Sequence, residues 1–359
     1  MRHACHIRRN RASRVAIPVI PTHDTDMTAL PSRMTVIAIR APGGPEVLVP
    51  EERPVPQPGV GEILVKVAAA GVNRPDVMQR MGLYPPPKGA SDIPGLEIAG
   101  EVVAVGDGVR RWKIGDRVTA LVAGGGYAEY CPVHESNALP TPKGLSEVEA
   151  AAIPETFFTV WHNTFERGRL KSGETLLIQG ASSGVGLMGM QIGKLMGAST
   201  VMGGSTNAAR RARLKEYGCD LPIDTSDPRW PEEVKKATGG KGVDVIVDMV
   251  SAPVANQNLE AACVLGRIVN VGRLGGQKGE FNFDLHALKR IDYIGVTFRT
   301  RSPEEVREIV KLMRADLWPA VEAGKLSLPI DKTFPLDKVA EALAMMKANQ
   351  HFGKIVLTM

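Results

Sequence analysis

The sequence predicts an α/β protein of two domains, a doubly wound parallel sheet inserted into a mostly-β, barrel-like unit. Three observations carry this. Short alternating or apolar runs at 36–39, 62–68, 100–105 and 116–122 are separated by Pro-Gly, Gly-Asp and Gly-Gly turn signals, which predicts β-structure from Thr35 to about Pro154. From about Glu155 to Val296, strand-like runs alternate with amphipathic helical stretches such as 208–217 and 231–237, the pattern of a parallel sheet. The chain then returns to its first style, with a helix over 302–323, a strand over 331–334, a helix over 336–348 and a last strand over 354–359. The predicted division is an N-terminal extension over 1–33, a first domain over 34–154, a nucleotide domain over 155–296, and a return to the first domain over 297–359. Such an insertion leaves a cleft between the two units, where ligands usually bind.

At 359 residues the chain is long enough for two domains of about 100–200 residues each. Hydrophobic residues make up 43%, and no apolar run reaches the roughly 18 residues of a membrane span, so a soluble globular protein is expected. The net charge of +5 is partly local, because Arg2, Arg8, Arg9, Arg11 and Arg14 all fall in the first 14 residues. The body of the chain is close to neutral and aromatic content is 5%, so no nucleic-acid partner is expected. Residues 1–33 read as a disordered or non-native extension: Pro18 cuts the apolar stretch 15–20, Asp24 and Asp26 argue against a transit peptide, and Met27 and Met34 precede the first strand. The cysteines Cys5, Cys131, Cys219 and Cys263 are scattered, with no Cys-x-x-Cys and no histidine at ligand spacing. Neither a disulfide framework nor a structural zinc site is expected, and a reducing cytoplasm fits.

The most informative stretch is Thr175-Leu-Leu-Ile-Gln-Gly-Ala-Ser-Ser-Gly-Val-Gly-Leu-Met-Gly189. An apolar run breaks at Gly180, crosses a small-residue turn and resumes with helical spacing over 187–196; further apolar runs follow at 199–204, 243–250 and 267–272. Strand, tight turn and helix in that order aim backbone N–H groups and the positive end of a helix at a pyrophosphate. The turn is a variant of Gly-x-Gly-x-x-Gly with Ala181, Ser183 and Gly186 at the glycine positions, where a larger side chain is expected to strike the phosphates. Dinucleotide sites selective for NAD place an acid about 20 residues further on. Here the second strand ends Gly203-Gly204-Ser205-Thr206-Asn207 without one, and Arg210, Arg211 and Arg213 follow. Hydroxyl and guanidinium groups suit a 2′-phosphate, which predicts NADPH.

Acid–base machinery is sparse. The first domain offers Asn73, Arg74 and Asp76, then Tyr84-Pro-Pro-Pro, then Gly95-Leu-Glu-Ile-Ala-Gly100. Asn73 is a candidate to hydrogen-bond a substrate carbonyl or the nicotinamide ribose. Tyr84, in a proline-stiffened loop, is a candidate to stack on a planar substrate or donate its hydroxyl. Glu97 reads as an ordinary ion-pair partner and is left outside the site.

Those motifs, with Gly115-Asp-Arg-Val, Gly124-Gly-Gly-Tyr-Ala-Glu129, Ala152-Ile-Pro-Glu-Thr156, Gly272-Arg-Leu-Gly-Gly276, Thr297-Phe-Arg-Thr-Arg301 and Gly353-Lys-Ile-Val356, run in the order seen in zinc-independent medium-chain dehydrogenases/reductases. From residue 34 onward the chain resembles the NAD(P)H:quinone oxidoreductases, most closely the p53-inducible type and its bacterial relatives. The resemblance implies a GroES-like β-barrel catalytic domain plus a Rossmann-type nucleotide-binding domain, NADPH as hydride donor, no metal, a small-molecule quinone as acceptor and a homodimer. Zinc-dependent relatives carry Cys where Asn73 stands and His-Glu where Leu96-Glu97 stands. It further implies that Thr159, Ser182, Ser183, Gly184, Val185 and Gly186 hold the nicotinamide and pyrophosphate, and that Gly203, Ser205 and Arg210 meet the adenosine side and its 2′-phosphate. Gly272 and Leu274 would line the ribose and nicotinamide, Phe298, Arg299 and Arg301 would border the shared mouth, Lys354 would complete the cofactor site, and Asn73 and Tyr84 would contact the quinone. The relatives' lysine after the second strand is absent here, where Asn207 and Ala208 stand, and Arg210 is the first base. Two other readings compete. One is reduction of an activated C=C bond in an enone or enal by the same donor. The other is an NADPH-binding protein without turnover, with RNA as a partner of the basic tail.

Overall fold

The computed structural model describes residues 30–359, so most of the arginine-rich extension expected over 1–33 lies outside the described residues. Strands β1 (Arg33–Ile39) and β2 (Leu48–Pro54) form an antiparallel pair. Strand β3 (Glu62–Val72) then runs through the middle of a larger sheet. Helix α1 (Arg74–Arg80) starts abruptly because Pro75 presets its first turn and the Asp76 carboxylate accepts the Asn73 N–H at 2.7 Å. Strands β4 (Glu97–Val105), β5 (Arg117–Leu121), β6 (Tyr130–His134) and β7 (Ala138–Pro140) follow, then α2 (Glu147–Ala150) and α3 (Pro154–Val160). A π-helical turn over Trp161–Arg167 continues α3. The all-β expectation up to residue 154 misses α1 and α2, which span 7 and 4 residues, too few to show a 3.6-residue period.

The second sheet is built from β8 (Thr175–Gln179), α4 (Gly184–Leu195), β9 (Thr200–Ser205), α5 (Ala208–Ala212), β10 (Leu221–Asp224), α6 (Trp230–Ala237), β11 (Val243–Asp248), α7 (Ala255–Ala261), β12 (Ala262–Asn270), α8 (Phe283–Lys289) and β13 (Asp292–Gly295). Its order is β10-β9-β8-β11-β12-β13, all parallel. The strand order therefore reverses between β8 and β11, and a doubly wound sheet opens its ligand crevice at that point. Leu176, Leu177 and Ile178 on β8 and Val245, Ile246 and Val247 on β11 are buried without alternation because helices cover both faces. The helix expected over 208–217 is divided: α5 stops at Ala212, and a 3-10 turn ends at Gly218 with φ 83°. Strand β12 starts at Ala262 rather than 267.

Helix α9 (Pro303–Glu322), β14 (Ile330–Pro335), α10 (Val339–Lys347) and β15 (Lys354–Thr358) complete the chain. Strand β15 pairs antiparallel with β3 and parallel with β14, so the first sheet reads β14-β15-β3-β4-β5-β7, with β6 also on β3. The apolar stripe of α9 (Ile309, Val310, Met313, Leu317, Trp318 and Val321) shares a core with Phe157 and Phe158 of α3, Met188 and Ile192 of α4, and Leu139 of β7 in the first sheet. At about 1.5–3 kcal/mol for each fully buried apolar side chain, this cluster makes a stiff joint between the two sheets. Among the described residues no helix is long and apolar enough to cross a membrane.

Candidate active site

A cleft of about 1760 Å³ lies at the joint. One wall is formed by Ser182, Ser183, Gly184, Val185, Gly204, Ser205, Arg210, Gly272 and Leu274; the other carries Asn73, Tyr84, Leu121, Phe298, Arg299 and Arg301. Pockets for one small ligand run to about 300–1000 Å³, so this cleft has room for a dinucleotide and a second molecule.

The turn after β8 is shaped as a strand-to-helix phosphate cradle. The Ser183 hydroxyl donates to the Gly180 carbonyl at 2.9 Å and accepts from the Gly186 N–H at 3.1 Å, so it caps α4. The Gly184 and Val185 backbone at the helix start faces the cleft. Two expectations need correcting. A Cβ at Gly186 would meet the Ala181 carbonyl oxygen at 2.5 Å, so this glycine permits close packing of helix on turn rather than making space for phosphate. A Cβ at Gly203 would meet Met190 Sδ at 2.8 Å; that glycine faces α4, and its neighbour Gly204 lines the cleft instead.

Beneath the turn sits a buried charge network. Gly353, at φ 88°, donates its N–H to the Ser182 carbonyl at 3.2 Å and delivers Lys354 under Gly184, where an added Cβ would lie 2.7 Å from Lys354 Cδ. The Lys354 ammonium donates to Asn73 Oδ1 at 2.7 Å and to Glu97 Oε1 at 2.5 Å. Asn73 Nδ2 donates to Glu97 Oε1 at 2.9 Å, and the Glu155 N–H donates to Glu97 Oε2 at 2.9 Å. Asn73, Glu97 and Lys354 are 5%, 0% and 3% exposed. Glu97, which sequence reasoning set aside, is thus the centre of the network. Asn73 is expected to contact substrate, yet both ends of its amide are engaged inside the protein. Lys354 lies beneath the turn at Ser182–Gly184.

Asp76 and Glu155 complete the cluster. Asp76 accepts the Tyr127 hydroxyl at 2.7 Å, and burial pushes its carboxyl up to about 6. Glu155 is pushed up to about 7, mainly by burial, with Glu97 and Asp76 adding repulsion while Lys354 and the Thr159 hydroxyl oppose it. Protein encloses Glu155 on most sides, but the residue keeps a partly exposed edge on the cleft. Thr159, one turn along α3, donates its hydroxyl to Glu155 Oε1 at 3.2 Å. An acid inside the apolar run 153–161 was the sequence signal for Glu155, since carboxylates are seldom placed there without a reason.

At the mouth, the Arg299 guanidinium packs over the Tyr84 ring at 3.8 Å, which covers one face of the expected stacking residue. Arg301 lies 5.6 Å over the Phe298 ring, pairs with Glu305, and donates to His162 Nε2. Because arginine only donates, His162 Nδ1 must carry the proton it shares with Glu166 Oε2 at 2.5 Å. The π-helical turn swings His162 to this position, which no periodic pattern foretells. Leu274 stays 41% exposed on the cleft rim. Arg210 directs Nη1 at the Asn349 and His351 carbonyls, at 2.6 and 3.2 Å.

Two outcomes follow from the network. Lys354→Met leaves the Glu97 charge buried without its cation and is expected to lower unfolding free energy in urea by about 3–5 kcal/mol; a loss under about 1 kcal/mol would remove Lys354 as the essential counter-charge. Glu155 holds its proton more tightly folded than unfolded, so its contribution is full below the ordinary glutamate range and is lost as pH rises through about 7. Relative to Glu155→Gln, the parent chain should lose on the order of 2 kcal/mol between about pH 4 and 8, and parallel stability curves would contradict this.

Comparison with known proteins agrees with this geometry. Residues 59–143 match the alcohol dehydrogenase GroES-like domain and residues 184–315 the zinc-binding dehydrogenase domain. The chain is 31% identical to the quinone oxidoreductase of Rattus norvegicus over 327 residues, covering 90% of this chain and 97% of that protein. Among solved structures it is similar to an NAD-dependent alcohol dehydrogenase (TM-score 0.81, 32% identity, 91% of this chain and 99% of that one). It is also similar to the CurK enoyl reductase (TM-score 0.81, 26% identity, 92% of this chain and 100% of that one). The two matched domains and the rat relative, on a chain that folds as a GroES-like sheet and a Rossmann sheet with a cleft at their joint, place it in the medium-chain dehydrogenase/reductase family of oxidoreductases, which bind a nicotinamide cofactor and act on small molecules.

Proposed function

We propose that the protein is an NADPH-dependent quinone oxidoreductase that works without a metal. The observation that carries the cofactor choice is the end of β9, where Ser205, Thr206 and Arg210 line the cleft and no carboxylate stands to meet a ribose hydroxyl. Arg210 is held by two carbonyls through Nη1, which leaves Nε and Nη2 for a 2′-phosphate. The cradle at Ser182, Ser183, Gly184 and Val185 lines the cleft at the N-terminus of α4, which suits the pyrophosphate. When bound, the dinucleotide supplies hydride. The chain's part is to hold the acceptor against it, between Tyr84, Phe298 and Leu121, and positioning alone can supply several kcal/mol. Metal-free chemistry is favoured by the Lys354 ammonium bonded to Glu97 and Asn73 and, among the described residues, by the lack of any group of three or more His, Cys, Asp or Glu able to hold a metal.

A quinone is preferred as acceptor because the rat relative carries that activity in its name. The CurK likeness favours a second reading, reduction of an activated C=C bond with Tyr84 as proton donor. Homodimerisation is proposed through β13, the edge strand of its sheet. Next to it, Phe281 packs edge-on against Tyr293 and Phe283, and Phe283 and Leu288 are 75% and 74% exposed. A cytoplasmic location is part of the same proposal.

The deciding assay follows NADPH oxidation with 1,2-naphthoquinone, with an enone, and with NADH replacing NADPH. Turnover of NADPH with the quinone is expected, and turnover with the enone alone would move the function to alkene reduction. Arg210→Ala should weaken NADPH binding about tenfold or more, the worth of one charge-assisted contact, and leave NADH within about twofold. Equal losses for both would remove Arg210 from the 2′-phosphate site. By sedimentation, the parent should run as a dimer and Leu288→Glu as a monomer; a monomeric parent would end the β13 proposal.

A further inference from the structure

We propose that Glu155, acting through the Thr159 hydroxyl, supplies the proton that the acceptor takes up after hydride transfer; this rests on the reductase reading above. An acceptor that has gained hydride carries an extra electron pair and one negative charge, and it needs one proton to become the neutral product. Solvent can provide it only where water reaches the anionic oxygen of the bound acceptor. The structure offers a built-in alternative at the cleft wall. Thr159 and Glu155 both line the cleft and are hydrogen-bonded at 3.2 Å, one helical turn apart on α3.

The surroundings set this carboxyl apart from its neighbours. Glu97 accepts three hydrogen bonds, two on Oε1 and one on Oε2, and is sealed from solvent. Asp76 is sealed as well, and its Oδ2 accepts the Asn73 N–H and the Tyr127 hydroxyl. Lys354 on β15 brings one ammonium to a cluster of three carboxyls drawn from α1, β4 and α3. Three carboxyls gathered around a single cation disfavour one another's ionisation, which favours keeping a proton in the cluster. Glu155 is the member with an open edge on the cleft, and it titrates at about 7, where an acid can give up a proton and regain it.

The transfer balances. With Glu155 protonated the hydrogen bond reverses, the carboxyl O–H donating to Thr159 Oγ1 and the Thr159 hydroxyl turning to the acceptor; its O–H bond then breaks as its proton bonds to the anionic oxygen of the reduced acceptor. In the same event the Glu155 carboxyl proton moves to Thr159 Oγ1, restoring the hydroxyl. Glu155 is left as a carboxylate, and water at its open edge reprotonates it before the next turnover. No electron moves in this step.

The test compares the parent, Glu155→Gln and Thr159→Val. The glutamine keeps the size of the side chain and an acceptor for Thr159, while the valine breaks the relay and leaves the carboxyl in place. In the parent, kcat with NADPH and naphthoquinone should fall as pH rises through about 7. Both variants should lose about 100-fold in kcat at neutral pH and lose that limb of the profile, and Glu155→Gln should keep NADPH affinity within about threefold of the parent. Independently of turnover, difference infrared titration of the dinucleotide-free protein should show, beside the band that Asp76 loses near 6, a second carboxylic-acid band lost with a midpoint near 7, this second band absent in Glu155→Gln and present in Thr159→Val. Retention of parental kcat and pH profile by Glu155→Gln, or persistence in it of the band with midpoint near 7, overturns the proposal. A parent that turns over neither quinone nor enone overturns the reductase reading instead, and this step falls with it.

Discussion

The ion pair between Lys354 and Glu97 is the constraint on which the rest of the site depends. It ties the last strand, β15, to β4, and Asn73 extends it to the end of β3 and the start of α1. The Glu155 N–H, bonded to the other oxygen of Glu97, adds α3, the helix that leads into the second sheet. Burying an ammonium and a carboxylate is costly unless nearly every donor and acceptor is matched, and here the carboxylate accepts three hydrogen bonds. Room for it comes from Gly71, where a Cβ would sit 2.1 Å from Glu97 Oε1.

From that anchor the cofactor side and the acceptor side of the cleft are held in register. Lys354 underlies Gly184 of the phosphate turn, and Gly353 bonds Ser182 of the same turn. The cluster of α3, α4 and α9 resists relative motion of the two sheets through apolar packing, while the charge network resists it through directed bonds. Between them they fasten the two walls of the cleft to each other.

The candidate chemistry is therefore divided by environment. Carboxyls sealed within the protein hold the frame, and the one with an edge on the cleft is poised to exchange a proton. Residues at the mouth are restrained by one another: Arg299 on Tyr84, Arg301 on Phe298 and His162. Tyr84 consequently offers a single ring face to a planar ligand, a narrower role than a free aromatic would have.

The sequence by itself determined the two sheets, the turn at residues 180–186 and the acid-free end of β9, because each depends on neighbours within a few residues: apolar period, turn chemistry and side-chain size. Gly186 and Gly203 were legible as small, yet the reason for smallness was not, since what a Cβ would strike lies on α4 or in the turn facing it. Only the tertiary structure decided the meaning of Glu97, Glu155 and Lys354. They are separated by 58 and 199 residues along the chain, read from positions 97, 155 and 354, and burial converts three unremarkable charges into one coupled cluster. It also decided where α9 belongs, because an amphipathic helix announces that it has an apolar face but not which surface will cover it.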